Sequence, residues 1–262
     1  MERKHLDNLR NVVVILTMAM FPALISITSG CSKEGDCLTN TGDTISEIRS
    51  LSDFDSISLN DYVNLILTQN PVPSVRVIAG KNIIKGITTE VIDRTLVIHN
   101  QNTCNWLRSY DSSLINVFVS MNNIAKISYN SSGDILSTNE LTKSLNVEVW
   151  GGCGTIDLQL NIRGQYETGN FSLNMGTADI KLRGFCFSSA IYAGCYGFYD
   201  GRLLENDYTY ITNNGSNDCY VNCFTYLDAK IGSVGNVYYK KNSTLGIKKT
   251  PSGSNQIQEK NW

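Results

Sequence analysis

Two histidines, four prolines and a formal net charge of only −2 are what this chain has least of, and each shortage removes a class of function. Only His99 lies beyond the first thirty residues, so a zinc site built on two or three imidazoles is excluded. A Ser-His-Asp arrangement would have to use that one residue. It closes the run Thr95-Leu96-Val97-Ile98-His99, which carries no nucleophile motif and reads as a strand ending in an exposed imidazole. With 22 Lys and Arg against 24 Asp and Glu there is no strongly basic face. Nucleic acid, which demands many cations to displace phosphate counterions, is not an expected partner. Helical periodicity is also missing. The length fits one domain or at most two, with enough apolar content to bury a core.

What is present begins at the N-terminus. Val12 to Thr28 is an apolar run preceded by Arg3, Lys4 and Arg10, and it ends in Thr28-Ser29-Gly30-Cys31. A positive leader, an apolar stretch and small residues before a cut describe an export signal. Cysteine directly after the cut resembles the lipobox of bacterial lipoproteins, although Thr28 stands where leucine is commonest. The expectation is a signal peptide over 1–30, a diacylglyceryl thioether on Cys31 and anchoring to a membrane through lipid. A single membrane-spanning helix is the competing reading, since about 17 apolar residues is the lower limit for a span. Removing residues 1–30 leaves 19 positive against 22 negative side chains, a formal charge of −3.

Eight cysteines in an exported chain suggest disulfides. With Cys31 acylated, seven remain and at least one thiol is free. The expected bridge is Cys37 with Cys104, tying the segment near the anchor to the body. Cys153, Cys186, Cys195, Cys219 and Cys223 are expected as small buried residues. Cys219 and Cys223 alone, without a second pair or a histidine, do not make a metal site, and no cofactor is expected.

Residues 31–50 are polar and aperiodic and read as a tether; the folded domain is expected over 51–245, with a tail over 246–262. Apolar and polar residues alternate from Phe54 to Leu59, Val63 to Leu67, Val75 to Ile78, Leu96 to Ile98 and Ile115 to Val119, the period of strands. Turn residues such as Asn70-Pro71 separate them. From residue 125 a longer repeat appears: strand, glycine or asparagine turn, strand. Its closing residues Ile135, Ile156, Ile180, Tyr199, Cys219 and Val237 are 21, 24, 19, 20 and 18 apart. That period, without helices, predicts an all-β parallel solenoid of about 20-residue coils, each burying its apolar face against the next. A β-sandwich would instead place hairpin turns every 8 to 12 residues.

Phe54-Asp-Ser-Ile-Ser-Leu59, Val63-Asn-Leu-Ile-Leu67 with Gln69, Lys81-Asn-Ile-Ile-Lys-Gly-Ile-Thr-Thr-Glu-Val91, Leu96-Val-Ile-His-Asn100 and Gly235-Asn-Val-Tyr-Tyr239 carry a resemblance. Over roughly residues 50–245 the chain resembles the putative auto-transporter adhesin, head GIN domain family. The resemblance implies a right-handed parallel β-helix in a lipid-anchored or exported envelope protein. It brings no active-site or binding residues with it.

Three further features bear on function. Asp134, Asp179, Asp218 and Asn236 occupy equivalent corners just before a closing residue. Aligned carboxylates can ligate calcium or act as paired acids on a polysaccharide. Asp and Asn also favour turns, and the alternation with Thr155 and Phe198 puts the acids about two coils apart, which favours turn chemistry. Eleven of thirteen tyrosines lie from Tyr129 onward, among them Tyr192, Tyr196, Tyr199, Tyr208, Tyr210, Tyr220, Tyr226, Tyr238 and Tyr239. About two thirds of these rings are expected in the core or in ladders, and the rest on an exposed patch suited to sugar or protein contact. Lys240, Lys241, Lys248 and Lys249 read as a solvated C-terminal cap. Ser32-Lys33-Glu34-Gly35-Asp36 weakly resembles export signals of outer-face lipoproteins, and Asp43-Thr44-Ile45 and Asp55-Ser56-Ile57 weakly resemble a bacterial O-glycosylation pattern.

The expectation is a lipid-anchored, non-enzymatic β-helix in the cell envelope, in the outer membrane and facing outward, that engages a glycan or a protein. A polysaccharide lyase or hydrolase on the same scaffold is the competing class, and a structural spacer is the third.

Overall fold

The computed structural model describes residues 40–103, 115–240, 246–251 and 255–262. All of these but Thr103 fall in one compact unit. The strands are β1 Thr44–Arg49, β2 Ser56–Asp61, β3 Asn64–Gln69, β4 Ser74–Gly80, β5 Ile87–Ile92, β6 Thr95–Asn100, β7 Asn116–Met121, β8 Lys126–Ser131 and β9 Ile135–Ser137. They continue with β10 Leu145–Gly152, β11 Thr155–Ile162, β12 Thr168–Leu173, β13 Asp179–Ala193, β14 Tyr199–Asn213, β15 Cys219–Ile231, β16 Val237–Tyr239, β17 Gly246–Thr250 and β18 Ile257–Glu259. One 3-10 turn, Ile84–Gly86, is the helical content among the described residues.

Alternation sets the faces. In β11 the buried residues are Ile156, Leu158, Leu160 and Ile162, with Thr155, Asp157, Gln159 and Asn161 turned outward. Successive coils place equivalent residues side by side in parallel register. Leu65 faces Ile135, which faces Ile156, and the column runs on through Ile180, Tyr199, Cys219, Val237 and Ile257. A second column runs Ile57, Ile127, Val147, Phe171, Ile191, Ile211, Ala229. Each fully buried Ile, Leu or Phe contributes about 1.5–3 kcal/mol from desolvation, and only stacking makes that burial available. The fold is the β-solenoid that the 20-residue spacing predicts.

The stack is not in chain order throughout. After β3 the chain crosses to the opposite side of its first coil, so that Ile57 faces both Leu96 and Ile127, and Leu65 both Val117 and Ile135. Antiparallel pairs β5–β6, β4–β7 and β1–β4 then close that end, covering what would otherwise be open strand edges. The folded part also extends past 51–245 on both sides. Thr44–Arg49, inside the segment read as tether, is β1, whose side chains alternate between exposed and half-buried. Residues 246–262, read as a tail, carry β17 and β18, the next coil of both columns.

Most coils have a sharp corner of common form: a small residue, a polar one, then an inward apolar one. Examples are Gly133-Asp134-Ile135, Gly154-Thr155-Ile156, Ala178-Asp179-Ile180 and Gly235-Asn236-Val237, while Gly197-Phe198-Tyr199 carries an aromatic ring in the middle position. At Gly154 a methyl group would lie 2.2 Å from the Gly133 carbonyl oxygen of the coil beneath, which is why the corner excludes a side chain there.

Candidate functional site

The aligned acids are corner residues that bind backbone. Asp134 Oδ1 accepts the Thr155 N–H at 2.8 Å, Asp179 Oδ1 the Phe198 N–H at 2.9 Å and Asp218 Oδ1 the Asn236 N–H at 2.9 Å. Asn64 Oδ1 accepts from Asp134 N and Asn236 Oδ1 from Gln256 N, extending the series to both ends. Each acceptor ties one coil to the equivalent corner of the next. The column therefore joins coil to coil at the corners, and Thr155 and Phe198 separate its acids as the sequence indicated.

Cys31, Cys37, Cys104, Lys241 and Ser32–Asp36 lie outside the described residues. His99 stands at the end of β6, 43% exposed, with Nδ1 3.1 Å from Asp61 Oδ2. Cys186, Cys195, Cys219 and Cys223 are buried free thiols; Cys153 departs from the expectation and is exposed, because it sits at the apex of the β10–β11 corner. Burial pushes the Cys219 thiol up to about 12. Cys219 and Cys223 lie four residues apart on one strand, roughly 13 Å if straight at ~3.3 Å per residue, too far to share a metal ion. Lys248 pairs with Asp228 at 3.1 Å, and Lys249 Nζ donates to the Tyr239 hydroxyl at 3.0 Å, so these two lysines are tied to the last coils. Thr44 is exposed at the start of β1, while the Ser56 hydroxyl donates to Asp55 at 2.9 Å.

The tyrosines separate into three groups. Tyr199 and Tyr239 are core. Tyr208, Tyr220, Tyr226 and Tyr238 are half-buried and meet other rings: Tyr208 meets Phe187 at 5.4 Å, Tyr226 meets Tyr210 at 6.1 Å, and Tyr220 stacks on Tyr238 at 5.1 Å. Tyr192, Tyr196 and Tyr210 are exposed. Two of these three share one lateral face. On the outward side of β12–β15, Asn170 faces Ala190, Ala190 faces Tyr210 and Tyr210 faces Asp228; beside them run Ser172, Tyr192, Thr212 and Lys230. Ala190 is the short side chain among longer ones. Above it opens a groove of about 300 Å³ lined by these residues. It pairs aromatic walls with amide, hydroxyl, carboxylate and ammonium groups, the composition of a small-ligand site.

Sequence reading missed a second lateral feature. Strand register makes a row of acids and bases: Asp157 faces Lys181 and Lys181 faces Asp200. Arg183 contacts the Asp157 carboxylate, and Arg202 binds Asp200 through Nε at 2.8 Å and Nη2 at 2.6 Å. Burial raises the Asp200 carboxyl, but its Arg202 hydrogen bonds outweigh this and hold it below the usual carboxylate value. A general acid needs the opposite shift. The spacings of these residues along the chain carry no sign of the row, because only the 24- and 19-residue steps between coils bring them together.

The family model described as putative auto-transporter adhesin, head GIN domain, matches residues 53–243. Among solved structures, a putative adhesin from Bacteroides fragilis is 22% identical with a TM-score of 0.67, over 80% of this chain and 94% of that one. A putative adhesin from Parabacteroides distasonis is 16% identical with a TM-score of 0.62, over 83% and 97%. A putative lipid binding protein from Parabacteroides distasonis is 17% identical with a TM-score of 0.53, over 85% and 98%. At these identities the likeness shows the fold. No curated protein matches the sequence.

Proposed function

The chain belongs to the putative auto-transporter adhesin, head GIN domain family, and from that premise we propose that it is a non-enzymatic binding module of the cell envelope. Cys31 carries the lipid, residues 32–43 lead to the domain, and the solenoid faces outward from the outer membrane with a lateral surface that engages a glycan or a protein. The observation that carries this reading is the lateral face of β12–β15, where exposed Tyr192 and Tyr210 flank Ala190 in a groove lined with polar groups. Stacked coils give such faces length, which suits extended partners. An extracellular chain is also the setting in which Cys37 and Cys104 would bridge.

Radioactive palmitate should label the full chain in cells and fail to label Cys31→Ala, and protease added to intact cells should remove the solenoid. Cells expressing the chain should adhere to glycan- or protein-coated surfaces, and adherence should fall with Cys31→Ala. Adherence independent of the chain would sink the reading.

The Asp157–Lys181–Asp200 row favours a second reading, a polysaccharide-degrading enzyme. Its two acids stand two rungs apart on one face, about 9.6 Å between Cα atoms at ~4.8 Å per rung, and a pair of carboxylates set some way apart is what glycosidases use. Against it stand the guanidinium groups on both acids. Reducing-sugar release that disappears in Asp200→Asn would establish it.

A further inference from the structure

The groove over Ala190 lacks the proton donor that one of its atoms needs. Asp228 Oδ2 is taken by Lys248 at 3.1 Å, whereas Asp228 Oδ1 is buried and has no hydrogen-bond partner among the described residues. A buried acceptor left unpaired is costly, and a ligand hydroxyl removes that cost once the carboxylate turns to meet it. Tyr192 and Tyr210 are 40% and 46% exposed. They project from adjacent rungs two residues apart in register, a diagonal of about 8 Å from strand geometry. The gap between them exists because Ala190 has only a methyl group. Asn170 and Lys230 add donors at the rim.

We infer that this groove is a subsite for one or two pyranose units of a neutral glycan. A sugar ring presents an apolar C–H face for the tyrosines and hydroxyl donors for Asp228 and Asn170, so one ligand answers both features. An acidic sugar would set its carboxylate against the Asp228 carboxylate, a like-charge contact in a site of reduced solvent access. A groove of about 300 Å³ is at the small end of the range for small-ligand sites, which suits one or two sugar rings. The inference rests on the binding-module reading and narrows it to one site and one ligand class.

The test is calorimetric titration of the full chain in detergent with hexaoses of glucose, mannose and galactose, alongside oligogalacturonate as the acidic arm. At least one neutral hexaose should bind, with Kd raised tenfold or more by Tyr210→Ala and by Ala190→Trp, which fills the groove and removes no contact. Asp228→Asn should weaken binding about tenfold, and Tyr238→Ala on the other face should leave it unchanged. Unaltered thermal midpoints show that the variants fold. Neutral-glycan binding unaffected by Ala190→Trp overturns the site and spares the binding-module reading. Tighter binding of oligogalacturonate, or no neutral hexaose bound, overturns the ligand class. Adherence of expressing cells then decides the broader reading separately.

Discussion

Asp179 Oδ1 accepts the backbone N–H of Phe198 at 2.9 Å, nineteen residues and one coil further on. The same corner position does the same work at Asn64, Asp134, Asp218 and Asn236. The Asp or Asn of these five corners is thus a rivet between coils. Asp179→Ala should lower stability by about 1–2 kcal/mol, the scale for leaving a part-buried N–H unpaired. Asp179→Asn, which keeps the acceptor, should cost less than half of that. Urea unfolding reads both, and a calcium-dependent rise in the midpoint that vanishes in Asp179→Asn would instead make the column a metal site.

Thiol accessibility follows from the solenoid interior. Cys186, Cys195, Cys219 and Cys223 are buried, with their thiols pushed up by desolvation, and Cys153 is exposed. Iodoacetamide applied to the native protein should modify Cys153 rapidly. The four buried thiols should react only after unfolding, as peptide mass mapping would show. Equal rates at all five would mean an open interior.

Glu148 bridges coils: its carboxylate takes Lys126 Nζ at 2.8 Å, Asn146 Nδ2 at 2.8 Å and Trp150 Nε1 at 3.1 Å. Its Lys126 hydrogen bond, aided by Trp150 and Asn146 and opposed by burial, holds its carboxyl below the usual value. A group depressed in the folded state stabilises above its unfolded pKa, near 4.3, and that contribution is lost as pH falls through the folded value. Glu148→Gln should therefore cost about 0.5–1 kcal/mol at pH 7, with the difference from wild type closing below about pH 4. A difference that grows toward acid pH would contradict this.

Register defines what can be removed. Leu160 faces Gly184, so deleting Asn161–Gly184 joins Leu160 to the residue equivalent to its own successor. That variant should unfold cooperatively with a reduced midpoint. Deleting Asn161–Ser172 leaves half a coil and should give aggregates. Equal collapse of both would argue against independent stacking units.

The coil period was legible because the small-polar-apolar corner recurs in most turns, and Ile135, Ile156 and Ile180 do share a column. Strands β2, β3, β4, β6 and β7 were legible from alternation. What alternation does not carry is the neighbour: nothing local in Ser56–Asp61 says that it pairs with both β6 and β8. For the same reason β1, largely polar and with no fully buried side chain, read as tether. The groove was half visible. Tyr192 and Tyr210 stood out by type, but Ala190 matters only because register sets it between Asn170 and Tyr210.

The order of coils along the stack is most directly measured by pulsed dipolar spectroscopy on spin labels. Register runs Val97, Ser58, Ser128, Glu148, Ser172, Tyr192, Thr212, Lys230. At ~4.8 Å per rung, the 58–230 pair should lie near 29 Å and the 97–230 pair near 34 Å. Position 97 is then farther from 230 in space although nearer in sequence. A 97–230 distance shorter than 58–230 would contradict the stack.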